Sequence, residues 1–400
     1  MHLMTKASGC VTAASGFRAA GACCGIKEGA KDLALVVSDV PAAAAGTFTT
    51  NRFCAAPVML SRARLVAGRA RAIVVNSGCA NAATGEAGMR DAEEMAAAAA
   101  RALKLDPAEV LAASTGRIGK RLPLEKITGA LPALAAALSR AGGRDAAIAI
   151  LTTDTRPKEA VARLALGGKE ATIGGMAKGA GMIHPMMATM LAFITTDAAV
   201  EPAPLAAMLR ASVEKSFNRI TVDGDRSTND SVFLLANGLA GNPVIAGTES
   251  DEARRFAESL DEVTGKLAEM IVRDGEGASK FIEILVRGAR DAEEAKRLGF
   301  AVANSPLFKT AMYGEDPNWG RILSALGAAG VEFSHDGVEV LLQGQRVFAG
   351  GAPAAADEAE LKKTLKGGDI RIEIALARGG ARERVLTCDL TPEYVDLNKT

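Results

Sequence analysis

Apolar and polar positions divide the 400-residue chain into short buried runs and longer periodic stretches. The runs at 33–37 (LALVV), 71–75 (RAIVV) and 148–152 (IAILT) hold few polar residues and lie between Gly, Asp and Asn. That pattern predicts strands covered on both faces. Stretches 91–103 and 124–138 mix Ala and Leu with charges and predict helices, with Pro123 suited to the first turn of the second. Further helices are expected at 202–215 and 251–272, and a strand at 281–286. Alternation near the end predicts strands at 337–342, 369–377 and 382–389. The last two would form an antiparallel pair around Arg378-Gly379-Gly380. AILTTDT (149–155) and AFITTDA (192–198) share a pattern that predicts two similar strand ends. IGGMAKGAG (173–181) reads as a turn-rich approach to a strand. Strands and helices mixed in this way predict an α+β fold built in layers.

Composition narrows the function. Lys+Arg and Asp+Glu balance at 47 each and aromatics are 4%, which argues against a nucleic-acid binder. No apolar run reaches the roughly 18 residues of a membrane span, and the first 30 residues lack a secretory h-region. The six cysteines form no C-x-x-C pair and no zinc pattern, so they read as small hydrophobes in a reducing compartment. With three histidines, a metal centre is not expected. A histidine base would have to be His184, for which a local structural role is the simpler expectation. TGRIGKRL (115–122) lacks P-loop spacing. In STGRIG (114–119), Thr115 and Gly116 could aim donors at one point as an oxyanion hole, or form an ordinary turn. Thr189, a lone hydroxyl in MMATML, has two readings at this level. It is a buried β-branched residue, or a nucleophile whose own α-amine serves as base after self-cleavage at Ala188-Thr189.

KGAGMIHPMMATML (178–191) resembles the processing motif of the ornithine acetyltransferase family, the bifunctional glutamate N-acetyltransferase/amino-acid acetyltransferase of arginine biosynthesis. TAASGFRAAG (12–21), FTTNRF (48–53), NSGCANAATG (76–85), STGRIG and ILTTDT (150–155) are similar to family segments and follow in the family's order. So are SFNRITVDGDRSTND (216–230), DGEGASK (274–280) and DPNWGRI (316–322). The resemblance covers nearly the whole chain.

It implies a layered sheet–helix sandwich of the N-terminal-nucleophile-like type. It implies autocleavage into an α chain, 1–188, and a β chain, 189–400. These share one intertwined globular unit with a smaller C-terminal lobe and assemble as α2β2. Thr189 is then the autoproteolytic and catalytic nucleophile, and Thr115 and Gly116 the oxyanion hole. Thr152, Lys178, Thr189, Glu276, Asn398 and Thr400 are the substrate-binding positions. The implied reaction is ping-pong acetyl transfer from N2-acetylornithine to glutamate in the cytoplasm, with no cofactor. Acetyl-CoA is a further donor in some members, and the motifs do not separate the two kinds. The same nucleophile would also serve an aminopeptidase or amidase with water as acceptor, and a non-catalytic metabolite binder could keep the fold. The chain departs from the family pattern at Met186, Arg117 and Cys79, and its tail after Asn398 is short.

Overall fold

The computed structural model describes residues 10–184 and 190–399. Two compact units emerge. The first takes in residues up to 179, 186–218 and 226–271; the second takes in 180–185, 219–225 and 272–400.

The first unit carries an eight-stranded sheet. Its strands are β1 (Phe17–Ala22), β2 (Leu33–Phe48), β3 (Arg69–Cys79), β4 (Val110–Arg117), β5 (Lys158–Leu166), β6 (Lys169–Lys178), β7 (Leu191–Thr196) and β8 (Ser231–Ala236). They run in the order β4-β3-β2-β8-β7-β6-β5, with β1 paired to β2. β2 is long enough to serve two partners in turn. Its first half pairs with β1 and β3, and its second half, Ala43 to Phe48, pairs antiparallel with β8.

The apolar run 33–37 is buried on both faces, and alternate residues enter different cores. Leu33, Leu35 and Val37 pack with α2 (Gly85–Leu103) and α3 (Leu124–Ala136), which follow α1 (Ala56–Arg64). Ala34 and Val36 pack with Phe193 of β7, Phe233 of β8 and α4 (Gly143–Ala149). Both residue sets leave water, so the strand needs no polar face. α5 (Pro202–Lys215) lies against β2, and α6 (Asp251–Arg273) places Val263 and Leu267 over Gly175 of β6.

Three expectations need correction. Residues 143–149 form a helix rather than leading into a strand at 148–152. The cause is glycine spacing: a Cβ on Gly142 would fall 1.9 Å from the Ala19 carbonyl oxygen, and one on Gly21 2.1 Å from that of Asp145. The glycines let the helix backbone rest on β1, which buries its alanines and Ile150 as a strand would. AILTTDT therefore follows a helix, while AFITTDA is the strand β7, so the two are not structural twins. The glycine-rich 173–181 stretch is strand as far as Lys178. A Cβ on Gly175 would press to 3.1–3.2 Å of Leu267 and Val263, so glycine here admits α6 rather than making a turn. The turn is Gly167-Gly168, both with positive φ, joining β5 to β6.

The second unit holds β9 (Phe281–Ala289), α7 (Ala292–Ala303), α8 (Pro306–Tyr313), α9 (Gly320–Gly327), β10 (Val338–Leu342), β11 (Gln345–Ala349), β12 (Ala352–Pro353), α10 (Glu358–Leu365), β13 (Asp369–Leu376), β14 (Ala381–Cys388) and α11 (Pro392–Asn398). Its sheet order is β12-β11-β10-β13-β9-β14. The expected hairpin of the last two long strands does not form. β13 pairs parallel and β14 antiparallel with β9, which lies between them. The Arg378-Gly379 turn closes over the end of β9, where both N–H groups donate to the Gly288 carbonyl at 3.0 Å.

Candidate active site

Several strands of the first unit end at one place. β3 and β4 run parallel and finish together, with Ser77 opposite Thr115 and Gly78 opposite Gly116. Lys178 closes β6 and stands opposite Leu191, which opens β7. Leu191 in turn stands opposite Ser231, the first residue of β8.

Thr115 is buried, and Gly116 adopts φ +129°. A Cβ there would fall 2.3 Å from the Gly78 carbonyl carbon and 2.6 Å from the Cys79 nitrogen, so only glycine lets the two strand ends close. Asn229 clamps the same corner. Its Nδ2 donates to the Ala80 carbonyl at 2.6 Å and to that of Ser114 at 2.9 Å. Arg117 is exposed and acts through its backbone, accepting from Ala80 N–H at 3.0 Å. Cys79 is buried, and its thiol donates to the Lys120 carbonyl at 3.3 Å, holding the loop beyond the Thr-Gly pair.

A charged cluster lies behind this corner. The Lys178 ammonium donates to Thr115 Oγ1 at 3.4 Å and stands 3.9 Å from Asp154. Asp154 Oδ1 accepts from Lys158 Nζ at 2.6 Å and from Gly179 N–H at 2.6 Å, while Oδ2 accepts from Thr152 N–H at 3.1 Å. All three charged side chains are almost wholly enclosed, at 0–2% exposure. Burial pushes the Asp154 carboxyl upward, but the Lys178 and Lys158 ammonium groups and the N–H donors outweigh it and hold it at about 2. Lys27 adds another cation, with Nζ on the Leu151 carbonyl at 2.8 Å. Burial lowers its pKa, against the pull of Asp32 and Asp154.

Asp230 sits just before β8. Its Oδ1 accepts from Met190 N–H at 3.0 Å, and its carbonyl accepts from Thr49 N–H at 3.0 Å. Burial raises its carboxyl well above the ordinary range, although the Met190 N–H and the Lys178 charge work the other way.

In the second unit, Glu276 Oε2 accepts from Asn398 Nδ2 at 2.7 Å. The Glu276 carboxylate lies against the Gly181 backbone, where a Cβ would come within 2.4 Å of its Cδ. Asp223 pins the following residues, accepting from Met182 N–H at 2.6 Å and Ile183 N–H at 2.9 Å. His184 meets the Phe300 ring edge-on at 6.0 Å. That is a packing contact, in keeping with the structural role expected of it.

Comparison with known proteins bears on this arrangement directly. The ArgJ family model matches residues 18–400. The chain belongs to the ArgJ family. The arginine biosynthesis bifunctional protein ArgJ of Symbiobacterium thermophilum is 52% identical over 394 residues, covering 98% of each chain. That of Chlorobaculum tepidum is 49% identical, covering 96% of this chain and 95% of its own. The crystal structure of the ArgJ protein of Bacillus halodurans matches with TM-score 0.50 at 38% identity, over 52% of this chain and 97% of that one.

Membership in the ArgJ family makes the chain an acetyltransferase of arginine biosynthesis, as its motifs implied, acting on small molecules. Its fold is the layered α+β arrangement expected. Of the residues singled out in the sequence, the structure brings Thr115, Gly116, Thr152 and Lys178 together around Asp154, and it joins Glu276 to Asn398. Ala188, Thr189, Met186 and Thr400 lie outside the described residues. Asp154, Lys158, Asn229 and Asp230 were not singled out, although ILTTDT and STND contain three of them. Their signal was a charge or amide inside an otherwise apolar or hydroxyl-rich segment. That pattern marks a buried polar group which must find partners.

Proposed function

We propose that the chain cuts itself between Ala188 and Thr189 and then carries acetyl groups on Thr189. In the first step Thr189 Oγ attacks the Ala188 carbonyl. The C–N bond breaks as the ester forms and the nitrogen takes the proton. Water then hydrolyses the ester, leaving the Ala188 carboxylate and a free Thr189 α-amine. In the second step that amine accepts the Oγ proton as Oγ attacks the acetyl carbonyl of N2-acetylornithine. Ornithine departs with the proton, and glutamate attacks acetyl-Thr189 to give N-acetylglutamate.

The observation that carries this reading is the junction of Lys178, Thr115 and Leu191. The strand that begins two residues after Thr189 is paired with the residue whose ammonium meets the Thr-Gly corner. Thr115 and Gly116 serve as oxyanion donors, each typically worth several kcal/mol in the transition state. Asp154 is shared by two ammonium groups, so the cluster has cationic character suited to a substrate carboxylate or an oxyanion. Thr152 and Lys178 bind the substrate on this reading, and Glu276 is assigned to its amino group by charge sign; Asn398 and Thr400 are carried by the motif alone. The cycle so written needs no cofactor, and acetyl-CoA would enter only as another acyl donor to the same threonine. The Bacillus halodurans match also supports cleavage, because it covers 97% of a chain that spans only 52% of this one. We place the enzyme in the cytoplasm as an α2β2 assembly. Among the described residues no helix is long and apolar enough to cross a membrane.

The test is denaturing electrophoresis with N-terminal sequencing, followed by an acetyl-transfer assay to glutamate from acetylornithine and from acetyl-CoA. Two fragments, the second beginning at Thr189, and transfer from acetylornithine are expected. A single uncut chain that is fully active would overturn the mechanism.

A further inference from the structure

Lys27 lies on the loop between β1 and β2, yet that loop is fixed against the Thr-Gly corner. The buried Asp32 side chain gathers the loop backbone. Its Oδ1 accepts from Cys24 N–H at 2.6 Å, and its Oδ2 from Ile26 N–H at 2.6 Å and Lys27 N–H at 2.9 Å. The Asp32 carbonyl accepts from Ser77 N–H at 2.8 Å, which ties the loop to the end of β3. The Lys27 stem then lies over Gly78, where a Cβ would fall 3.0 Å from Lys27 Cγ, and Gly78 stands opposite Gly116. The ammonium ends on the Leu151 carbonyl, beside Thr152, with Asp154 and Lys178 in its electrostatic reach. Among the described residues that carbonyl is its single hydrogen-bond acceptor, so two of its three N–H donors are uncommitted. Ordering a lysine costs rotamer entropy, which one carbonyl contact at a half-buried head does little to offset.

The two substrates of the acetyl-transfer cycle differ in the charge at their far ends. N2-acetylornithine carries one carboxylate and one ammonium, whereas glutamate carries two carboxylates. Both meet the same acyl group in turn, so the acceptor brings one carboxylate more than the donor. Lys178 is already assigned to the substrate. Lys158 is turned away from it, with Nζ on Asp154 at 2.6 Å and on the Arg156 carbonyl at 3.4 Å and its side chain 1% exposed. Lys27 is the half-buried cation of this corner with donors to give.

We propose that Lys27 receives the second carboxylate of the acceptor and so selects a dicarboxylic amino acid for the second half of the cycle. This rests on the acetyl-transfer reading above. The contact is a charge-assisted hydrogen bond, and the fixed loop holds the ammonium in place for it before the acceptor arrives. Glutamine, which has the same shape without that charge, is then a poor acceptor.

The experiment separates the two halves of the cycle in wild type, Lys27→Met and Lys27→Arg. Exchange of labelled ornithine into acetylornithine reads the donor half. Acetyl transfer to glutamate and to glutamine reads the whole cycle. No exchange in wild type would sink the acetyl-transfer reading itself. If wild type exchanges, Lys27→Met should raise KM for glutamate roughly 10-fold or more while moving KM for acetylornithine less than about 3-fold, as loss of one charge-assisted hydrogen bond to the acceptor predicts. The preference for glutamate over glutamine, read as the ratio of kcat/KM values, should shrink by a similar factor. Lys27→Arg keeps the charge and should keep part of that preference. A wild type that accepts glutamine as well as glutamate overturns the proposal, and so does an unchanged glutamate KM in Lys27→Met. Equal rises for both substrates also overturn it, since a merely structural role at the corner would do that. Where Lys27→Met does not fold, as judged by circular dichroism, Lys27→Gln decides by the same ratio.

Discussion

Asp154 Oδ1 lies 2.6 Å from Lys158 Nζ, and both side chains are shut off from solvent. Lys178 approaches the same carboxylate. Removing the anion from such a group takes away a buried countercharge shared by two cations, and breaking a buried ion pair typically costs about 3–5 kcal/mol. Asp154→Asn is therefore expected to unfold at markedly lower urea concentration at pH 7, with an unchanged slope, in a chemical denaturation series.

The same carboxylate sets a pH dependence. Its folded value, about 2, lies below the roughly 3.9 of an unfolded aspartate. Its stabilisation is complete above the unfolded value and is lost as pH falls through that window toward about 2. Wild type should lose stability between about pH 4 and pH 2, and Asp154→Asn should lack that component. Parallel urea melts at pH 6, 4 and 2.5 would show whether the gap between the two proteins closes with acid.

At the Thr-Gly corner, two substitutions should separate chemistry from packing. Thr115→Val keeps the shape and removes the hydroxyl that meets Lys178. It should lower kcat by roughly 100- to 1000-fold, the usual effect of losing an oxyanion donor, with little change in melting temperature. Gly116→Ala instead drives a Cβ into the Gly78 backbone from a φ of +129°. It should lose both activity and stability, and thermal melts would distinguish the pair.

Thr189→Ala should yield one full-length chain with no transferase activity, whereas Thr189→Ser should still be cut. Electrophoresis of freshly purified protein checks both, and cleavage of the alanine variant at the same bond would exclude Thr189 as the attacking group.

Gly181→Ala offers a substitution beside Glu276 that leaves the carboxylate itself in place. The added methyl must displace the Glu276 carboxylate, since it would sit 2.4 Å from its Cδ. On the substrate-binding assignment, both Gly181→Ala and Glu276→Gln should raise KM for acetylornithine several-fold. Unchanged KM in both would remove Glu276 from the substrate's contacts.

Much of the first unit could be read from residue order alone. LALVV and RAIVV were recognisable as doubly covered strands because burial on both faces leaves no polar position. IAILT had the same apolar signature yet belongs to the end of a helix, because a short run buried all round does not carry a period. The deciding facts were Gly142 and Gly21, whose missing side chains admit the helix, and they act through distant backbone. The β13–β14 error has the same origin. Two strands near in sequence were separated by β9, whose place in the sheet depends on long-range pairing. At the site, motifs supplied the residues expected to touch substrate. They did not supply Asp154, Lys158 or Asp230, whose role appears only when strand ends are brought side by side.

The strand order β2-β8-β7-β6 has a consequence for the life history of the molecule. β2 and β6 precede residue 189 in the chain, while β7 and β8 follow it. A cut at that point leaves a sheet in which the later strands are flanked on both sides by earlier ones, so neither fragment can leave without opening two rows of hydrogen bonds. The uncut chain finds this arrangement as a first-order process; the cut pair, once denatured, must find it by encounter. Maturation would thus convert a protein that can refold into one whose recovery depends on concentration. The mature enzyme would be a record of having been folded once as a single chain.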